Sequence, residues 1–322
     1  MIANPNSLTK KFFYKERDNN GQVFSLQRYS LHDGEGIRTT IFLKGCGLSC
    51  QWCSNPESQN RHIDIAFNEK KCIGLLGCDL CLSKCDQQAI VLDAENGVRI
   101  DRDKCNSCNA CTSSCPTEAL YSFGEKMSTA QIIDFIARDD IFYNRSKGGV
   151  TVSGGEPLLQ GKFTLSIINA VKERHISTAI ETCGDGAWRW LAQIAEQVDE
   201  IFFDIKSMNS AKHKSFTGKG NEIILSNFRK LVEQFPEKCI HVRTPLIPAF
   251  NDSLDDFIKI IDFIGSYPNV DFEILPYHRL GSFKYRLLGR DYMPGSIWLK
   301  KTNSQKIIEY AKNRLTTRYR QT

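Results

Sequence analysis

Eleven of the 13 cysteines fall between Cys46 and Cys115, and the rest of the 322-residue chain holds only two. Clustering this dense has two outcomes, a disulfide framework or metal ligation, and the redox compartment decides between them. The start of the chain, Met1 to Asp18, is polar, carries Lys10, Lys11, Lys15 and Arg17, and lacks the apolar stretch that directs export. No run elsewhere approaches the roughly 18 consecutive apolar residues that a membrane-spanning helix needs. A cytoplasmic chain is therefore expected, with reduced thiols available to metals. The 41% hydrophobic and 25% charged fractions exclude a disordered or low-complexity segment. The length accommodates one large core plus an appended module.

Beyond Met127, short β-rich runs alternate with amphipathic helical stretches. Strands are expected at Gly149 to Ser153, Ser177 to Thr182, Glu200 to Ile205, Cys239 to Ile247 and Val270 to Pro276, with Ile37 to Leu43 upstream. Helices are expected at Ser128 to Arg138, where Ser128 and Gln131 form a capping-box pair, and at Phe163 to Val171, Ile223 to Phe235 and Ser253 to Ile264. Repeated β-then-α units predict a parallel sheet flanked by helices, and six strands are too few for the usual eight-stranded barrel. The fold class is therefore α/β, a partial (β/α)6 barrel. Residues 68–124, rich in cysteine and turn residues and about the size of a two-cluster ferredoxin, interrupt it as an insertion. The core then comprises 1–67 and 125–322.

Cys46, Cys50 and Cys53 are spaced C-x3-C-x2-C directly after the first strand, with Trp52 before the last cysteine. Three thiolates are one short of a closed zinc site, which takes four ligands. A [4Fe-4S] cube held by three cysteines keeps one iron open. Cys105, Cys108, Cys111, Cys115 and Pro116 reproduce the bacterial ferredoxin run C-x2-C-x2-C-x3-C-P. Cys72, Cys78, Cys81 and Cys85 make a longer C-x5-C-x2-C-x3-C, with Asp86 in place of the proline. The fourth cysteine of each such run ligates the other cluster. One cube is thus assigned to Cys72, Cys78, Cys81 and Cys115, and the other to Cys105, Cys108, Cys111 and Cys85. Saturated cubes suit electron relay. Cys183 and Cys239 are expected to pack as small apolar residues in or beside strands.

Polar residues collect where the expected strands end: Ser153, Gly154, Gly155, Glu156 and Pro157; Glu181, Thr182, Cys183 and Gly184; Asp204, Ile205 and Lys206; then Arg243 within a strand and His278 past the last one. Barrel active sites form at carboxyl strand ends. Each residue has a bland alternative as turn, cap or structural histidine, but their common rim beside a three-cysteine motif favours a ligand site.

These motifs, together with Tyr29-Ser30-Leu31-His32-Asp33-Gly34-Glu35-Gly36-Ile37-Arg38-Thr39, Ser54-Asn55-Pro56-Glu57-Ser58 and Leu275 to Gly281, resemble the glycyl radical enzyme activating enzymes of the radical S-adenosylmethionine superfamily, in the pyruvate formate-lyase activating enzyme-like subgroup with a ferredoxin-like insertion. The resemblance spans roughly residues 22–315. It implies an oxidoreductase working anaerobically with three [4Fe-4S] clusters and S-adenosylmethionine, whose amino and carboxylate groups chelate the open iron held by Cys46, Cys50 and Cys53. Reductive cleavage then yields a 5′-deoxyadenosyl radical that abstracts a hydrogen atom from a glycine Cα of a partner glycyl radical enzyme, with flavodoxin or ferredoxin as electron donor.

By motif position, Ser153, Gly154, Gly155 and Glu156 meet the methionine amino group, and Trp52, Cys53 and Ser54 lie against the adenosine. Glu181, Thr182, Asp204 and the Phe202 carbonyl resemble a monovalent-cation site. Lys206, His278, Met208 and Asn209 are further cofactor contacts, and Asp33 and Arg243 orient the glycine loop. Glu35 departs from the family, which has proline there, so the loop loses a fixed φ and gains a negative charge.

Two other readings fit parts of the sequence. One is a radical S-adenosylmethionine enzyme acting on a small molecule or on RNA, for which the ten Lys and Arg from Lys284 to Arg320, against Asp291 and Glu309, supply a basic tail. Nucleic acid is the less favoured substrate, and no membrane is expected as a partner. The other reading is a non-catalytic ferredoxin-like carrier or iron-sulfur scaffold, which leaves Ser153 to Pro157 unused.

Overall fold

The computed structural model describes residues 19–74, 77–93, 97–292 and 301–320. The polar start, Met1 to Asp18, lies outside them. In chain order the strands are β1 (Asn20–Ser30), β2 (Arg38–Leu43), β3 (Asp64–Phe67), β4 (Ile90–Asp93), β5 (Gly97–Ile100), β6 (Leu120–Phe123), β7 (Glu125–Ser128), β8 (Gly149–Gly154), β9 (Ser177–Thr182), β10 (Glu200–Asp204), β11 (Ile240–Leu246), β12 (Val270–Pro276) and β13 (Tyr319–Arg320). The helices are α1 (Leu80–Ser83), α2 (Ala110–Ser113), α3 (Thr129–Ile136), α4 (Asp140–Ser146), α5 (Gly161–Lys172), α6 (Trp188–Gln197), α7 (Ser210–Thr217), α8 (Glu222–Gln234), α9 (Leu254–Gly265), α10 (Ser282–Leu287) and α11 (Lys301–Leu315).

Among the described residues nine strands form one sheet in the order β13-β12-β11-β10-β9-β8-β2-β1-β7. From β2 through β12 neighbouring strands are parallel and follow chain order, and the six runs expected as strands are those six. The antiparallel edge of β1 and β7, and the two-residue β13, are additional. β1 escapes period-2 reading because its pairing with β2 is irregular at Val23/Ser25 and Gln27/Ser30.

Side chains alternate across a strand, so the sheet has two chemically different faces. Ile41, Leu43, Val150, Val152, Ile180, Ile201, Phe203, Ile240, Val242, Val270, Phe272 and Ile274 share one core with apolar residues of α3, α5, α6, α8, α9 and α11. Phe203 of β10 and Phe228 of α8, both fully buried, meet with ring centroids 5.3 Å apart. Burial of each such side chain contributes roughly 1.5–3 kcal/mol. The opposite registers hold Arg38, Thr40, Thr151, Ser153, Glu181, Glu200, Asp204, His241, Arg243, Asp271 and Glu273. A parallel sheet covered by helices on both faces reads as continuous apolar runs. Here the polar face is left to form the site.

The capping box that opens α3 is present: Gln131 N–H donates to Ser128 Oγ at 3.2 Å, and Ser128 N–H donates to Gln131 Oε1 at 2.8 Å. Ser128→Ala should lower stability by about 1 kcal/mol in a chemical-denaturation titration, and no change would remove the cap from this account.

Between β2 and β7 the chain builds two small antiparallel sheets, β3 with β6 and β4 with β5. A separate core of Ile65, Ile90, Val98, Ile100, Cys111 and Leu120 lies among them. β3, just before residue 68, pairs among the described residues only with β6. α11 lies on α9, and tail cations are drawn into the fold: Arg314 pairs with Asp262 at 3.3 Å, Arg318 donates to the Tyr267 carbonyl and Arg320 pairs with Asp271 at 2.8 Å. A free basic strip for RNA is thereby reduced.

Candidate functional site

The loop after β2 carries Cys46, Cys50 and Cys53 and is fastened by backbone bonds on both sides. Ser49 and Gln51 N–H groups donate to the Thr217 and Phe216 carbonyls at the end of α7, at 2.8 and 3.1 Å. Gly45 and Cys46 N–H groups donate to Ser58 and Gln59. None of the three thiols is in a disulfide. Burial raises all three thiol pKa values, Cys50 to about 12; neighbouring thiols add to the effect at Cys46 and Cys50 and Glu57 adds at Cys53, while Lys206 opposes it at Cys50 and Cys53. One buried and two half-buried sulfurs gathered on one loop suit a cationic metal centre. Trp52, also buried, packs its ring against Phe250 with centroids 4.5 Å apart, while Ser54 is exposed.

The turn after β8 folds back on this loop. Gly154 has φ +119°, open to glycine alone at little cost, and a Cβ on Gly155 would lie 2.3 Å from the Gly45 carbonyl oxygen. That close approach lets Glu156 N–H donate to the Gly45 carbonyl at 2.8 Å. The Glu156 carboxylate turns away from the open face. It accepts from Leu158 N–H (3.0 Å), the Thr182 hydroxyl (2.7 Å), Cys183 N–H (2.8 Å) and the Cys183 thiol (3.0 Å). These bonds brace the rim. Glu156→Gln replaces one acceptor by a donor facing Cys183, and should destabilise the protein by roughly 2–3 kcal/mol in anaerobic denaturant titrations; an unchanged midpoint would exclude the bracing role.

Glu181, Asp204, Lys206 and Arg243 form one charged group. Arg243 donates to Glu181 at 2.8 Å, Lys206 pairs with Asp204 at 2.8 Å, and Ser153 donates to Glu181. The Arg243 guanidinium also stands 4.8 Å from the Phe202 ring centroid. Burial alone would raise the Asp204 carboxyl and lower the Lys206 ammonium. Their mutual attraction, with Arg243 on one side and the Cys50 and Cys183 sulfurs on the other, reverses both. Asp204 Oδ1 and Arg243 Nε are buried, face each other as an ion pair at 3.7 Å, and make no hydrogen bond among the described residues. A carboxylate oxygen and a guanidinium N–H held beyond hydrogen-bond distance of each other fit the amino-acid end of a zwitterionic ligand. Thr182, by contrast, spends its hydroxyl on Glu156, away from Glu181 and Asp204.

The remaining expected residues are more scattered. Asn209 caps α7, accepting from Lys212 N–H at 2.9 Å, and Met208 packs at the edge of the main core. His278 is exposed and accepts from Leu280 N–H at 3.4 Å. Asp33 sits before β2, at the amino end of the parallel strands, where Thr40 donates to it at 2.6 Å. Cys183 is buried, but Cys239 is exposed, so the expectation that both pack as apolar residues is corrected for Cys239, whose place just before β11 leaves it uncovered.

Sequence reading missed the charges buried nearby. Arg38, fully buried, joins Glu200 at 3.2 Å and donates to Thr151 at 2.7 Å. Lys44, equally buried, donates to the Glu57 carbonyl and pairs with Asp64 at 3.0 Å, and Arg290 meets Asp64 at 3.5 Å. This network ties the cysteine loop to β3. Its only sequence signal is a charge inside an otherwise apolar strand run.

The other eight clustered cysteines line two cavities. Cys72, Cys78, Cys81 and Cys115 surround one together with Phe67 and Val98. Cys85, Cys105, Cys108 and Cys111 surround the other beside Ile65 and Ile90.

Residues 103–264 match the family model described as the radical SAM superfamily, residues 71–119 a 4Fe-4S dicluster domain and residues 32–85 a 4Fe-4S single cluster domain. The chain is 45% identical over 282 residues to the isethionate sulfite-lyase activating enzyme of Desulfovibrio desulfuricans, covering 87% of this chain and 90% of that protein. It is 45% identical over 277 residues to the (2S)-3-sulfopropanediol sulfolyase activating enzyme of Bilophila wadsworthia, with 86% and 91% covered. Against the 4-hydroxyphenylacetate decarboxylase activating enzyme of Clostridioides difficile the identity is 38% over 274 residues, with 84% and 86% covered.

Proposed function

The chain belongs to the glycyl radical enzyme activating enzymes of the radical S-adenosylmethionine superfamily, and from that premise we propose that Cys46, Cys50 and Cys53 hold its catalytic [4Fe-4S] cluster while Asp204 and Arg243 receive the methionine end of S-adenosylmethionine. The activity is that of an enzyme that activates a partner glycyl radical enzyme by cleaving S-adenosylmethionine. Bound at the three cysteines, the cluster and its nucleotide supply the one-electron carbon-sulfur cleavage and the hydrogen-abstracting radical. This chain's residues bind and orient. Lys206 keeps Asp204 ionised beside the Cys50 sulfur, Glu156 stiffens the rim from below, and Ser153 with Arg243 fixes Glu181. The observation that carries this reading is the facing pair of buried atoms, Asp204 Oδ1 and Arg243 Nε, on the polar face beside three unbridged thiols, Cys50 buried and Cys46 and Cys53 half-buried. Arg243 already supplies a positive charge to Glu181 and Asp204, so we assign it, rather than a monovalent cation, as their countercharge.

The architecture proposed is a partial barrel, supported by the uninterrupted strand order from β2 to β12, carrying a ferredoxin-like insertion that runs from about Asp64 to about residue 124. Its two cysteine-lined cavities are proposed to hold two further [4Fe-4S] clusters, which relay electrons from flavodoxin or ferredoxin. Among the described residues no helix is long and apolar enough to cross a membrane.

The partner proposed is a glycyl radical lyase that cleaves the carbon-sulfur bond of a small hydroxysulfonate, supported by the higher identity to the two sulfonate-lyase activases than to the decarboxylase activase. Reduced enzyme and S-adenosylmethionine should raise a glycyl radical signal in electron paramagnetic resonance on an isethionate or sulfopropanediol lyase, followed by sulfite release. A signal on 4-hydroxyphenylacetate decarboxylase alone would contradict the partner while leaving the chemistry intact.

A further inference from the structure

At the amino end of the sheet, opposite the cysteine loop, Cys239, His241 and Asp271 converge. Cys239 and His241 are two residues apart on one side of the β11 chain, and Asp271 of β12 stands in register with His241. Cys239 Sγ is 3.9 Å from His241 Nδ1 and 3.5 Å from Asp271 Oδ2, and His241 Nδ1 is 3.5 Å from the same oxygen. Tetrahedral zinc with bonds of about 2.3 Å to sulfur and about 2.0–2.1 Å to nitrogen and oxygen has ligand-to-ligand edges of roughly 3.3–3.6 Å. The three side chains already approximate one face of that tetrahedron.

We propose that Cys239, His241 and Asp271 form a binding site for a thiophilic divalent transition cation, Zn²⁺ foremost, distinct from the iron-sulfur centres. One thiolate, one imidazole and one carboxylate suit borderline-soft metals and exclude Ca²⁺ and Mg²⁺, which take oxygen ligands. Thiolate and carboxylate together neutralise the divalent charge. Cys239 is exposed, which gives the ion an entry path, and three protein ligands leave a fourth position for water. Arg320 donates to Asp271 Oδ2 at 2.8 Å, so the oxygen that faces Cys239 and His241 is held in place by the guanidinium and is shared between it and the ion. The His241 ring lies 5.0 Å from that of Phe202, the same ring that faces Arg243. The site therefore adjoins the polar face that bears the cofactor contacts.

The test uses anaerobically reconstituted holoenzyme, with its iron sites filled, equilibrated with Zn²⁺ and then desalted. Wild type should retain about one more zinc per chain than Cys239→Ser or Asp271→Asn at equal iron content, with an X-ray absorption first shell of one sulfur and two or three lighter ligands. Cys239 is exposed, so Cys239→Ser leaves folding intact, and the iron content verifies it. Equal zinc retention in wild type and Cys239→Ser, or a zinc shell of three or more sulfurs, would overturn the proposal.

Discussion

Cys50→Ala reduces 5′-deoxyadenosine formation from S-adenosylmethionine to background, a loss of at least about 10⁴-fold in kcat, while the protein stays folded. The sulfur of Cys50 is buried in the site, but the bonds that hold its loop belong to the backbone of Gly45, Cys46, Ser49 and Gln51. Deleting the thiol thus removes a ligand and spares the scaffold. Iron should fall from about twelve to about eight per chain, because the insertion cysteines are untouched. Turnover that survives the substitution, or a loss of all the iron, would contradict the assignment.

Lys206→Met has the second largest effect expected, a loss of roughly 10²–10³-fold in kcat/KM for S-adenosylmethionine at unchanged iron. Lys206 is the 2.8 Å partner of Asp204, and removing it leaves the half-buried carboxylate with Arg243, 3.7 Å away, as its remaining countercharge, at a penalty of about 3 kcal/mol. The Asp204 carboxyl then tends to protonate, and the acceptor for the cofactor's amino group is lost. The pair also sets a pH dependence. Lys206 is shifted up, so its contribution is complete below the usual lysine value and lost only above it. Asp204 is shifted down, so its contribution is present above the usual carboxylate value and lost only in stronger acid. Activity should be flat on account of this pair between about pH 5 and pH 10. A variant with near-normal kcat/KM would remove Lys206 from the site.

Much of the molecule was legible in the sequence for local reasons. Cysteine spacing is a covalent constraint read directly from the chain, and β8 through β12 announce themselves by apolar runs bounded by turn residues. What stayed hidden depends on partners distant in sequence. Glu156 is expected as a cofactor contact because it follows two glycines at a strand end, and the bonds its carboxylate accepts from Thr182 and Cys183 of the next strand show only in the fold. Arg38 and Lys44 lie in and just after a strand, and only the fold shows the Glu200 and Asp64 that pay for their burial. Cys239 looked apolar by residue type, but its place just before β11 leaves it exposed beside His241 and Asp271 at the amino end of the sheet. The basic tail resembled an RNA strip until Asp262 and Asp271 were found beneath it.

The central claim, that three cysteines leave one iron corner for the nucleotide, is tested most directly by electron-nuclear double resonance on dithionite-reduced enzyme given S-adenosylmethionine labelled with ¹⁵N in its amino group and ¹⁷O in its carboxylate. The account predicts hyperfine coupling of the reduced cluster to both labels, absent in Cys50→Ala. A reduced cluster whose spectrum ignores the nucleotide, with neither label coupled, would contradict it.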